Sequence, residues 1–84
     1  IPPLSGERRQ KLLAQVRKLG ETQKVAIRNI RRDANRRIDT EEKDKIISED
    51  DAEGSKERIQ ELTKTAESQV DTLVTAKAKE IEEV

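Results

Sequence analysis

The stretch Asp44-Lys45-Ile46-Ile47-Ser48-Glu49-Asp50-Asp51 interrupts two helical periodicities, and its reading decides the fold. The apolar spacing that precedes it does not continue through 44–47. Ser48 then offers a hydroxyl at an N-cap position, with an acid at N3. Further acids fill the first turn, where the positive end of the helix dipole favours them. One helix ends here and another begins.

Outward from this break toward the start of the chain, Leu12, Val16, Leu19, Ala26, Ile30, Ala34 and Ile38 recur at helical spacing, with Gln23 filling the missing position. At about 100° per residue they occupy about a third of the helix circumference. A first helix over about 7–42 accounts for them. Ser5 stands at its N-cap, but Arg8 rather than Glu follows three residues on, so the capping box is incomplete. Gly20 sits inside this helix and costs about 1 kcal/mol relative to Ala. Ile1-Pro2-Pro3-Leu4 reads as an extended linker, because proline fixes its own φ and biases its predecessor out of the α region.

Toward the other end, Ala52, Ser55, Ile59, Leu62, Ala66, Val70, Leu73, Lys77 and Ile81 approach a heptad series, which predicts a second helix over about 49–83. Gly54 is a weak spot in its first turns. A turn over about 43–48 is too short for anything but an antiparallel arrangement of two helices, each ~50 Å long. The fold class is therefore all-α, a long helical hairpin. Both seams are narrow and rich in Ala. Two helices alone bury one side of each seam, so a third helix from elsewhere is expected.

Composition removes whole classes of chemistry. The 84 residues contain no Cys, His, Met or aromatic side chain, and 43% of them are charged. No zinc site, thiol nucleophile or histidine-assisted triad can be assembled from such a set. Paired acids such as Glu49 and Asp50 lie in an exposed capping turn with no pocket implied, so no catalytic residue, cofactor or small-molecule substrate is expected. No apolar stretch approaches the ~20 residues of a membrane span, and no signal-peptide core is present.

The formal charge of zero conceals a division. Residues 1–37 carry eleven Lys/Arg against three acids, and residues 38–84 carry seven against fifteen, so the two parts stand at +8 and −8. On the first helix, Arg17, Lys24, Arg28, Arg31 and Arg32 fall within about 100° of one another, with Asn35 among them. This stripe is expected to face away from the apolar seam, with Arg36 and Arg37 near its end. Arginine's planar fork suits bidentate contact with phosphate. Asp33 can pair with Arg36 or Arg37 but cannot neutralise the whole stripe. With no aromatic residue to stack on bases, recognition of folded RNA through shape and phosphates is favoured over single-strand readout. The alternative is a structural antiparallel coiled coil that serves as a protein-interaction module through its leftover seam.

One set of motifs begins with Ile1-Pro2-Pro3-Leu4 and Glu7-Arg8-Arg9, and with the run from Lys24-Val25-Ala26-Ile27 through Arg28-Asn29-Ile30-Arg31-Arg32-Asp33-Ala34-Asn35. It continues through Glu42-Lys43-Asp44-Lys45, Ile47-Ser48-Glu49-Asp50-Asp51, Ile59-Gln60-Glu61-Leu62-Thr63 and the tail from Lys77 to Val84. In these motifs the chain resembles the ribosome recycling factor family. The resemblance implies a three-helix bundle, domain I, of which residues 5–84 supply the second and third helices. Residues 1–4 would be the hinge returning from a domain II that is absent here. It also implies docking on the large ribosomal subunit, against 23S rRNA near the peptidyl-transferase centre. Together with elongation factor G and GTP, the intact factor would split post-termination ribosomes into subunits. Arg28, Arg31 and Arg32 carry over as rRNA contacts, with Arg17, Lys24 and Asn35 beside them. The implied location is the bacterial cytoplasm, or an organellar stroma or matrix for a eukaryotic source. Gly6, Gly20 and Gly54 depart from what the family's long helices usually carry, as does the lack of an aromatic residue in Lys64-Thr65-Ala66-Glu67-Ser68-Gln69.

Overall fold

The computed structural model describes residues 5–83, in which α1 (Gly6–Lys43) and α2 (Glu49–Glu83) are joined by the turn 44–48. The expected helical hairpin is what the chain forms, with bounds set by the local chemistry read from its sequence. Ser5 Oγ accepts from the Arg8 N–H at 3.1 Å, and Ser48 Oγ accepts from the Asp51 N–H at 3.0 Å. Each hydroxyl thus satisfies one of the backbone donors that a helix start leaves open. The reading of 1–4 as a linker falls outside the described residues.

The end of α1 uses a device that the sequence disguises. The Ile46 N–H donates to the Glu41 carbonyl at 2.8 Å and the Lys45 N–H to the Glu42 carbonyl at 3.0 Å. This is a Schellman cap, which needs a left-handed residue between helix and exit. Lys45 adopts it, with φ of 60°. Glycine is the usual occupant, and a side chain there costs on the order of 1 kcal/mol.

The hairpin measures 64 × 15 × 14 Å, close to the ~57 Å expected of a 38-residue helix. Its register is antiparallel. Stepping forward along α1 from Lys24 to Arg28 steps back along α2 from Asp71 to Glu67.

The helices meet along one side of each expected seam, with Ala52 and Ile81 buried, and leave the other side open. Leu19 and Ile30 on α1 and Leu62 and Leu73 on α2 are between 62% and 69% exposed. Gly20 and Thr63, which belong to neither expected seam, are buried, and Ile27 and Val74 are half-buried. Thr63 satisfies its hydroxyl by donating to the Ile59 carbonyl at 2.8 Å. On both helices the contact line is rotated by about 60° from the centre of the apolar arc. One flank of each arc meets the partner helix. The other flank stays open and forms two apolar clefts, one around Ile27, Ile30, Ile59 and Leu62, the other around Val16, Leu19, Val70 and Leu73.

Gly20 changes meaning in this arrangement. A Cβ built on it would lie 2.6 Å from Val74 Cγ2, whereas one on Gly54 would meet nothing within 4 Å. Gly20 is therefore where α1 lies too close to α2 to carry a side chain, a packing requirement rather than a local weakness. Gly54 remains the weak spot its helix propensity makes it.

Candidate nucleic-acid interface

The cationic residues of α1 do not act as one stripe, because the rotated contact line cuts into it. Lys24 binds Asp71 of α2, and the Lys24 side chain is only 19% exposed. The hydrogen bond to Asp71 holds this ammonium above the ordinary lysine value. Arg28 donates from Nε to Glu67 Oε1 at 2.9 Å. Nearer the turn, Lys56 of α2 binds Asp39 of α1, and the hydrogen bond to Asp39 likewise raises the Lys56 pKa. These three pairs close one long edge of the hairpin. The expectation that the stripe faces away from the second helix therefore fails for Lys24 and Arg28. The contact line runs along the flank of the apolar arc nearer these cations, about 60° from the arc's centre, which brings Lys24 and Arg28 to the edge of α2.

The remaining members separate further. Arg31 is half-buried and lines the cleft with Ile27, Ile30, Ile59 and Leu62. Asn35 is half-buried too, and its Oδ1 is shielded from solvent without a hydrogen-bond partner among the described residues. Arg17 and Arg32 are exposed and make no ion pair among the described residues. Lys18 and Arg36 are also exposed and unpaired there, within about 40° of Arg32 on the helix wheel. Arg37 lies on the other flank of α1 and pairs along the helix with Glu41 at 3.5 Å.

What results is an outward band of unpaired cations, Arg17, Lys18, Arg32 and Arg36, bordered by the half-exposed guanidinium of Arg28. Lys18 went unremarked in the sequence, although the same wheel places it beside Arg32. Glu67 and Asp71 also went unremarked, because their relevance depends on hairpin register rather than on any spacing within α2. The band offers charge and hydrogen-bond donors to a polyanion without any enclosed cavity. Among the described residues no group of three acids is placed to hold a metal ion, and no helix is long and apolar enough to cross a membrane.

Comparison with known proteins gives this geometry a family. The model of the family described as "Ribosome recycling factor" matches residues 1–81. The chain is 51% identical over 84 residues to the ribosome-recycling factor of Symbiobacterium thermophilum, covering 100% of this chain and 45% of that protein. It is 53% identical over 81 residues to that of Carboxydothermus hydrogenoformans, and 49% identical over 81 residues to that of Synechocystis sp., in each case covering 96% of this chain and 44% of the relative. The chain thus spans less than half the length of these relatives. On the family match and these identities, it belongs to the ribosome recycling factor family.

Proposed function

We propose that this chain supplies two helices of a three-helix bundle that docks on the large ribosomal subunit through 23S rRNA near the peptidyl-transferase centre. In the intact factor, acting with elongation factor G and GTP hydrolysis, the bundle serves to split post-termination ribosomes into subunits in the bacterial cytoplasm. It does so by binding and positioning, not by catalysis of its own. The observation that carries this reading is the band of exposed, unpaired Arg17 and Arg32 beside Arg28 on one face of α1. A family whose name implies work on ribosomes gives that band an RNA to meet.

The domain assignment follows the same line. Residues 5–84 form part of domain I, with 1–4 as the hinge from domain II. The open flank of the apolar arcs supports a third helix, since an arc centred between two neighbours is what a three-helix bundle requires. More than half the length of the relatives lies outside this chain, which is ample to supply it.

A protein-interaction coiled coil is favoured only by the exposed Leu19, Leu62 and Leu73, and the third helix accounts for those. Salt separates the two. If about three cations meet phosphates, log K for the large subunit falls with log salt at a slope of about −2 to −3. Association through the apolar clefts would be nearly salt-independent, and a flat response would reject the RNA reading.

A further inference from the structure

Resting on that rRNA reading, we infer that Glu67 of α2 is a positioning residue for the RNA contact, orienting Arg28 for phosphate rather than merely cancelling its charge. The inference stands on the atoms that meet. Arg28 is held through Nε, which donates to Glu67 Oε1 at 2.9 Å. A guanidinium has five N–H donors, so four, all on the terminal Nη nitrogens, lie outside that bond. They form the edge that binds phosphate bidentately.

Exposure sets this pair apart from its neighbour. Arg28 is 43% exposed and its acid 27%, so the acid lies deeper than the cation. In the Lys24–Asp71 pair the order is reversed, with the cation at 19% and the acid at 61%. Lys24 is thus spent on closing the hairpin. Arg28 is braced from beneath by an acid on the other helix, with its outer part in solvent. A long side chain fixed before binding loses less rotamer freedom when phosphate arrives.

The prediction that tests this has a counterintuitive sign. Simple electrostatics says that removing a carboxylate near a polyanion tightens binding, by about twofold or less at physiological salt. Positioning predicts the opposite. Binding of the chain to purified large ribosomal subunits is measured for Arg28→Ala, Glu67→Ala, Glu67→Gln and Asp71→Ala, with helicity followed by circular dichroism.

Arg28→Ala should weaken binding about tenfold. Glu67→Ala should weaken it about threefold, and Glu67→Gln, whose amide oxygen still accepts from Nε, should restore most of the loss. Asp71→Ala removes an inter-helix pair that does not brace Arg28 and should leave affinity within about twofold. Unchanged or tighter binding by Glu67→Ala, with Arg28→Ala weakened, overturns the positioning role and leaves the RNA reading standing. A loss shared equally by Glu67→Ala, Glu67→Gln and Asp71→Ala overturns it as well, because hairpin stability would then be the cause. If Arg28→Ala itself has no effect, the RNA assignment of that residue fails and the positioning role falls with it.

Discussion

The two long edges of the hairpin are finished in opposite ways. Along one, Lys24–Asp71, Arg28–Glu67 and Lys56–Asp39 tie α1 to α2 with charges. Along the other, Leu19, Ile30, Leu62 and Leu73 stand open. A hairpin built only for its own stability would turn its large apolar side chains inward, since burying each contributes about 1.5–3 kcal/mol, whereas an exposed ion pair contributes at most about 1 kcal/mol. Here the buried positions along the contact are Gly20, Ala52, Thr63 and Ile81, while Leu19, Leu62 and Leu73 stay exposed. The difference fits the proposed arrangement, in which an apolar helix would cover one edge while water and a polyanion would meet the other.

The substitution that should break the comparison altogether lies on the line dividing the edges. Gly20→Leu forces a side chain where even a Cβ would stand 2.6 Å from Val74 Cγ2. Wedging the helices apart should cost about 3 kcal/mol, the upper end of overpacking penalties, and lower the thermal midpoint seen by circular dichroism. Gly54→Ala, made where nothing lies within 4 Å, should instead gain up to about 1 kcal/mol. Equal effects of the two would mean that the close approach at Gly20 does not exist.

A smaller effect should separate the edges from each other. Hydrogen bonds to Asp71 and Asp39 raise the Lys24 and Lys56 pKa values above the ordinary 10.5. Because the folded values are the higher ones, the stability these pairs contribute is complete below about pH 10.5. It is lost as pH rises through the raised values. An alkaline titration should therefore loosen the charged edge, and Asp71→Asn should flatten the part of that response due to Lys24. An identical alkaline transition in Asp71→Asn would remove Lys24 from the account.

How much of this was legible in the sequence follows from the range of each interaction. The caps at Ser5 and Ser48 act within three residues, so the helix starts could be read directly. The Schellman cap also acts locally, but Lys45 stands where glycine would have announced it. Periodicity gives the centre of an apolar arc and not how neighbours divide it, so an open side could be expected but not that Leu19 and Leu73 would stand on it. Gly20 looked like a propensity defect because its reason, Val74, lies on the other helix. The same distance hid the partners of Lys24 and Arg28, although the cations themselves stood out by composition and spacing.

The central claim is that the outward cations of α1, as distinct from the chain's charge in general, meet ribosomal RNA. Arg32→Glu and Arg37→Glu make the same charge change on opposite flanks of one helix, Arg32 unpaired among the described residues and Arg37 already paired with Glu41. Affinity for purified large ribosomal subunits, measured side by side at one salt concentration, tests the claim most directly. Arg32→Glu should weaken binding about tenfold or more, and Arg37→Glu by no more than about twofold. Equal losses, or no loss in Arg32→Glu, would contradict it.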